Sequence, residues 1–189
     1  MRLKILVISS SPNLDGLTAA CSESALKGLH LAEVKAHEVR LNDLNIGNCE
    51  ACGNGWGTCL NNHTCQVLDD FQSLHIECLQ ADGIIFVTPV YWGEMSEASK
   101  AFMDRIRRCE ATRRGESGLL GKPIIAIAAA GGSGNGMITC LLSMERWIEH
   151  VQARKFDFIP INRWNREVKL ANIQQSAQVM VKLIQESAQ

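Results

Sequence analysis

The chain predicts an α/β fold: a doubly wound sheet of five parallel strands with helices on both faces. Three observations carry this. Apolar runs and helix-spaced apolar patterns alternate five times along the chain. The runs are short, bounded by turn residues and mostly apolar throughout, as strands buried on both faces are. Finally, 189 residues of 46% hydrophobic content suit one core, so residues 1–189 read as a single domain.

Residues 3–8, LKILVI, form the first strand, ending at serines. From about Leu17 to Leu31 the apolar spacing is helical. Residues 34–41, VKAHEVRL, alternate as a second strand, and a cysteine-rich insertion follows at about 47–66. DDFQSLHIECLQA sets Phe71, Leu74, Ile76, Cys78 and Leu79 at roughly helical spacing, with aspartates where a helix start favours negative charge. GIIFVTP, residues 83–89, is a third buried strand closed by a proline. SEASKAFMDRIRRC is a helix with Ala98, Ala101, Phe102 and Ile106 on one face. KPIIAIAAA, residues 122–130, is the fourth strand. MITCLLSMERWIEHV is a helix with Ile138, Leu141, Leu142 and Ile148 inward. KFDFIP, residues 155–160, is the fifth strand, and the tail from about Asn165 is a helix carrying Ile173, Ala177, Met180 and Ile184. Right-handed crossovers and five strands favour the flavodoxin-like order 2-1-3-4-5 over a six-stranded dinucleotide fold. In such sheets ligands sit beyond the carboxyl ends of the strands.

A net charge of −1, mixed in sign along the chain, points to neither nucleic acid nor an anionic membrane surface. MRLKILVISSS begins like a signal peptide. Its apolar run, Ile5 to Ile8, falls short of the about 7–15 residues of a secretory core. No stretch approaches the roughly 20 apolar residues of a membrane span. The expectation is a soluble, cytoplasmic protein with reduced cysteines.

Three loops follow the first, third and fourth strands. SSSPNLDGLTA, from Ser9 to Ala19, offers the hydroxyls of Ser9, Ser10, Ser11 and Thr18 and a flexible Gly16. It leads into a helix N-terminus, where free N–H groups and the helix dipole favour an anion. It matches neither an NTP-binding loop nor a dinucleotide fingerprint; the plainer alternative is a polar turn with a helix cap. In TPVYWGEMSEASK, Pro89 stiffens the chain, Tyr91 and Trp92 supply flat apolar area, and Gly93 admits a ligand to the backbone. The alternative is an aromatic plug against a neighbouring loop or a partner subunit. AAAGGSGNG, from Ala128 to Gly136, exposes backbone N–H groups or serves as a hinge. Together the hydroxyl loop suits one phosphate, and the other two suit a flat ring. A ring with a single phosphate describes FMN.

SSSPNLDGLT resembles the G-S-P-R-x-x-G-N-T phosphate loop of the NAD(P)H-dependent FMN reductases, a family related to the iron–sulfur flavoproteins and the flavodoxin-like quinone reductases. Ser11, Pro12, Gly16 and Thr18 match, while Ser10, Asn13 and Leu17 stand for its Gly, Arg and Asn. TPVYWGEMSEASKAFMDR resembles the family's T-P-x-Y followed by S-x-x-x-K-x-F-x-D-R, through Thr88, Pro89, Tyr91, Ser96, Lys100, Phe102, Asp104 and Arg105. GGSGNG stands where the family has its third flavin loop. The resemblance implies that Ser10, Ser11, Asn13, Gly16, Leu17 and Thr18 hold the FMN phosphate. It places Pro89, Val90, Tyr91, Trp92 and Gly93 on the isoalloxazine and ribityl chain, with Gly131, Gly132, Ser133 and Gly134 near the ring. The implied reaction takes hydride from NAD(P)H and passes electrons to a small acceptor such as a quinone or a flavin. It requires no protein acid or base, so no catalytic side chain is assigned. A homodimer or homotetramer is also implied, with Trp92 and the Arg105–Arg108 region as candidate interface.

The insertion spaces its cysteines C-x2-C-x6-C-x5-C, at Cys49, Cys52, Cys59 and Cys65. Iron–sulfur flavoproteins carry a four-cysteine loop at this point, roughly C-x2-C-x2-C-x4–7-C. Gly55 occupies the third position here, so Cys59 would take it over. By that resemblance the alternative function is an electron carrier with a [4Fe–4S] cluster on these four residues. Free thiols in a packed loop, zinc or a disulfide are the other readings, and the second pair is widely spaced for zinc. His63 is a candidate substitute ligand, though a lone loop histidine is usually solvent-facing. Cys21, Cys78, Cys109 and Cys140 fall in helix patterns and read as small buried apolar residues. A flavin-free binding module on the same fold is a further reading, which the hydroxyl-rich first loop opposes.

Overall fold

The computed structural model describes residues 3–187. In chain order the elements are β1 (Lys4–Ser9), α1 (Gly16–Leu31), β2 (Lys35–Arg40), a single turn α2 (Cys52–Gly55) and α3 (Phe71–Gln80). Then come β3 (Gly83–Tyr91), β4 (Glu94–Met95), α4 (Glu97–Glu110), β5 (Pro123–Ala130), α5 (Met137–His150), β6 (Arg154–Asn162) and α6 (Arg166–Ser187). The parallel sheet runs β2-β1-β3-β5-β6. This is the expected 2-1-3-4-5 order once β4 is set aside. β4 is a two-residue antiparallel return onto the end of β3, pairing Met95 with Val90. Its residues are too few to show a period, so the sequence gives no sign of it.

Period-two alternation divides the core between the two faces. Leu6, Ile8, Ile84 and Phe86 face α3, α4 and α5, where they meet Phe71, Phe102, Ile106 and Trp147. Ile5, Val7, Ile85 and Val87 face α1 and α6, where they meet Ala25, Leu29, Ile173 and Met180. Phe86 lies 6.3 Å from Phe102 and 6.2 Å from Trp147 between ring centres. Removing a ring so enclosed costs about 3–5 kcal/mol. Gly28 brings α1 against α6: a Cβ there would lie 2.3 Å from the Gln174 carbonyl oxygen.

Two helix faces differ from expectation. On α5, Ile138 and Leu142 are exposed, and Cys140, Leu141, Met144, Trp147 and Ile148 are buried. The buried row decides the rotation: Leu141, Met144, Ile148 and the Trp147 indole together outweigh Ile138 and Leu142, and the Trp147 Nε1–H finds the Met103 carbonyl at 3.1 Å. On α3, Ile76 is exposed and His75 is buried instead, 2.7 Å from the buried Glu110 carboxylate. Cys21, Cys78, Cys109 and Cys140 are buried as expected. Burial pushes the thiols of Cys21, Cys109 and Cys140 up to about 12, and Cys78 also up.

Candidate functional site

The three loops meet at the carboxyl edge of the sheet. A Cβ built on Gly131 would lie 4.0 Å from the Leu17 Cβ, joining the first and third loops. Gly93 and Gly136 pack backbone to backbone: a Cβ on Gly136 would lie 2.5 Å from the Gly93 Cα. Thr139 Oγ1 donates to the Gly93 carbonyl at 2.7 Å, and Ser143 Oγ reaches Glu94 at 2.8 Å. Gly93 and Gly136 hold φ of 81° and 78°, which side-chained residues adopt at a cost. The exposed polar face of α5 thus props the β3–β4 turn.

In the first loop, α1 begins at Gly16, whose φ of 90° is left-handed. Asp15 precedes it in extended conformation without a side-chain capping bond, and no acid lies in the first turn. The first-turn N–H groups therefore lack the usual cap. Thr18 is almost buried beside them. Ser11 Oγ accepts the Asn13 N–H at 3.2 Å, which leaves the Ser11 hydroxyl proton uncommitted by that bond.

Ser10 is a correction. Its N–H donates to the Val87 carbonyl at 3.1 Å, and its hydroxyl donates to the same oxygen at 3.3 Å. That hydroxyl also accepts from Ser99 Oγ at 2.6 Å, and its carbonyl accepts from Ser96 Oγ at 3.1 Å. Both Ser10 donors are spent inside the protein, so it locks β1 to β3 and α4 rather than facing an anion. The hydroxyl cluster continues through Thr88, whose Oγ1 lies 3.1 Å from both Ser96 N and Ser99 Oγ.

In the second loop, Pro89 is buried, Val90 is half-buried and Tyr91 is exposed at the edge. Trp92 is fully exposed, at a left-handed φ of 52°. In the third loop, Gly131, Gly132 and Ser133 are exposed while Gly134 is buried. A Cβ on Gly134 would lie 2.3 Å from the Trp164 ring, so Trp164 covers this loop from the β6–α6 turn. Sequence reasoning missed Trp164; its only signal is an aromatic just beyond the last strand.

The insertion closes on itself before it meets the helix beneath. Asn45 and Asp70 bond reciprocally: Asn45 N–H to Asp70 Oδ2 at 2.7 Å, and Asp70 N–H to the Asn45 carbonyl at 3.0 Å. Cys49, Cys52, Cys59 and Cys65 line one small cavity with Arg105 and Arg108 of α4. Arg105 is 1% exposed and ion-paired with Asp69. It donates to Asp69 Oδ2 at 2.5 Å, Asp69 Oδ1 at 2.9 Å, the Gly47 carbonyl at 3.0 Å and Cys65 Sγ at 3.3 Å. Burial alone would raise the Asp69 carboxyl. Bonds from Arg105 and from the Gly47 and Phe71 N–H groups outweigh it and hold the carboxyl below the usual range. Arg108 donates to the Gly55 carbonyl at 2.5 Å and stacks on Trp56 at 4.5 Å. Thr112 Oγ1 lies 3.0 Å from the Cys59 carbonyl.

His63 is a correction as well. It is half-buried with Nδ1 2.9 Å from Thr112 Oγ1, so it fastens the loop to the end of α4. Single-ion zinc fits poorly. Zn–S bonds of about 2.3 Å place tetrahedral sulfurs within roughly 4 Å of one another. Among the described residues no three or more His, Cys, Asp or Glu are grouped to hold one ion. Among the described residues no two cysteines are joined in a disulfide. Four thiols are spread around the cavity rather than converging on one point, which is the donor set of a multi-iron group; Arg108, the Asp69-paired Arg105 and the acid Glu50 share its wall, and the buried Arg105 Nε–H has no partner.

The family model described as NADPH-dependent FMN reductase matches residues 3–156. An iron–sulfur flavoprotein of Methanocaldococcus jannaschii is 30% identical over 105 residues, 56% of this chain and 52% of that protein. An iron–sulfur flavoprotein of Methanosarcina thermophila is 28% identical over 149 residues, 77% of this chain and 73% of its own. The chain thus spans about half the length of the first relative. Among solved structures, a flavone reductase superposes with a TM-score of 0.74 at 18% identity, over 98% of this chain and 64% of the other. An NAD(P)H:quinone oxidoreductase from Methanothermobacter marburgensis gives 0.67 at 13% identity, over 94% and 96%. At such identities the likeness is one of fold.

Proposed function

We propose, since this chain belongs to the NADPH-dependent FMN reductase family, that it is an FMN-dependent oxidoreductase. It takes electrons from NAD(P)H and passes them to a small acceptor such as a quinone or a flavin. The observation that carries this reading is the meeting of three loops at the carboxyl edge of the sheet, around a helix N-terminus without a side-chain cap. Bound FMN supplies the hydride and electron chemistry. The protein's part is binding and position. The Ser11 and Thr18 hydroxyls, with the Gly16, Leu17 and Thr18 N–H groups, hold the phosphate beside Asn13. Pro89, Val90, Tyr91 and Gly93 flank the ring on one side, and Gly131, Gly132, Ser133 and Gly134 on the other. Buried Pro89 and the ladder through Gly93, Thr139 and Gly136 keep that cradle stiff. The fully exposed Trp92 suits contact with another copy in a homodimer or homotetramer.

A second reading is favoured by the cysteine cavity. There the protein is a two-centre electron carrier, with a [4Fe–4S] cluster on Cys49, Cys52, Cys59 and Cys65. Relatives named iron–sulfur flavoproteins support it. An absorption spectrum of protein purified without oxygen, with iron and sulfide assayed on the same sample, separates the two. Flavin bands without iron leave a plain reductase with a structural loop. About four irons per chain make it a two-cofactor carrier. Cys59→Ser is expected to abolish iron retention; full iron in that variant would exclude Cys59 as a necessary ligand. Flavin content and NAD(P)H oxidation measured alongside test the first reading. Protein that neither retains nor rebinds FMN sinks it.

A further inference from the structure

We infer that Arg105 sets the redox balance of the four-cysteine centre, by aiming a buried guanidinium proton at the sulfur of Cys65. The inference rests on the cluster reading above. Its basis is how the guanidinium is spent. Nη1 serves the Gly47 carbonyl and Asp69 Oδ2; Nη2 serves Asp69 Oδ1 and Cys65 Sγ. Each nitrogen carries two protons, so all four are placed, and only one of them points at sulfur. The guanidinium also lies 4.3 Å over the Phe71 ring and is shut off from solvent. It therefore cannot pivot, and water cannot screen it.

Asp69 is fixed just as tightly. Its Oδ2 accepts from Gly47 N–H at 2.9 Å and its Oδ1 from Phe71 N–H at 3.1 Å, besides the two Arg105 bonds. A carboxylate with four donors holds its position and its charge. The pair thus stands beside the cavity as a fixed dipole, with its positive end on the sulfur. One electron entering a tetrathiolate cluster from the reduced flavin adds one negative charge. It breaks no bond and takes up no proton. A hydrogen bond to a ligand sulfur favours that more negative state, and burial strengthens it.

A purely structural clamp would also use these bonds, since Arg105 ties the entry of the insertion at Gly47 to its exit at Cys65 and Asp69. The two roles separate in potentiometric titrations of the protein purified without oxygen, following cluster and FMN in one sample. Arg105→Gln removes the positive end and leaves Asp69 anionic. The reduction equilibrium constant of the cluster is expected to fall at least tenfold, 59 mV for a one-electron couple. Asp69→Asn removes the opposing charge and leaves the bond to Cys65, so the constant is expected to rise. The FMN potential should move less than half as far in either variant. A clamp alone lowers iron content without giving shifts of opposite sign. Shifts of the same sign, or both constants within threefold of the parent, would overturn the inference. If Arg105→Gln yields no folded protein, Asp69→Asn decides alone, and an unchanged or lowered constant counts against it. Parent protein without iron or sulfide overturns the cluster reading and this role together, while FMN content in that sample judges the flavin reading separately.

Discussion

At the scale of single residues, neighbouring hydroxyls carry different duties. Ser10 and Ser11 are adjacent and chemically identical, yet both donors of Ser10 are spent on Val87 while Ser11 keeps its proton. Sequence motifs record that a hydroxyl is present, not which way it turns, so this split was illegible until β3 and α4 were in place. Ser11→Ala with Thr18→Val should weaken FMN binding by about 1 kcal/mol or more per lost charge-assisted bond. Flavin titration checks this, and unchanged affinity would remove both from the phosphate site. Asp69 supplies a pH signature. Its carboxyl is depressed in the folded protein. Its stabilisation is therefore complete above the unfolded value of about 3.9 and fades as pH falls through the lower folded value. The gap in urea midpoint between the parent and Asp69→Asn should narrow as pH drops from 6 to 3. A gap independent of pH would mean that Asp69 is not the titrating group.

At the scale of elements, α4 is used at both ends. Its cap Ser96, with Ser99, ties into Ser10 and Thr88 under the three carboxyl-edge loops; Arg105 and Arg108, with Thr112 just beyond, hold the cysteine insertion. Fourteen residues make a rod of about 21 Å. The stretch from Thr88 to Arg105 therefore supports both the carboxyl-edge loops and the cysteine insertion. The strands were legible as well: β1, β3 and β5 are apolar because both faces are covered. The α5 face was not legible, since Ile138 and Leu142 match the helical period as well as Met144 and Trp147 do. Burial of Met144 and Trp147 turns that row outward, where Thr139 and Ser143 prop the β3–β4 turn. The α1–α6 contact gives a stability test. Gly28→Ala forces a methyl toward the Gln174 carbonyl and should cost about 1–3 kcal/mol. A thermal melt within a degree of the parent would show that α6 gives way freely.

At the scale of the whole molecule, the sheet order and the three loops followed from the sequence because each strand ends where a ligand-facing turn must begin. The sequence singled out the same four cysteines that line one cavity, but their spacing departs from the compact pattern and left cluster, zinc, disulfide and free thiols open. The groups that hold the loop lie far downstream on and just beyond α4: Arg105 at Cys65, Arg108 at Gly55 and Thr112 at Cys59. Among the described residues no helix is long and apolar enough to cross a membrane. The reciprocal bonds between Asn45 and Asp70 have a consequence for the chain as genetic material. The polypeptide enters and leaves the insertion at nearly one point, and the segment between packs on the core and α4 without contributing a strand of the sheet. Excising residues 48–68 and joining Gly47 to Asp69 through a short glycine linker should leave FMN content and a single cooperative melt, and remove any iron. Loss of FMN from the excised protein would show that the segment also serves the flavin site. If FMN stays, a one-centre flavoprotein and a two-centre one differ by a single splice, made without disturbing a residue of the three carboxyl-edge loops.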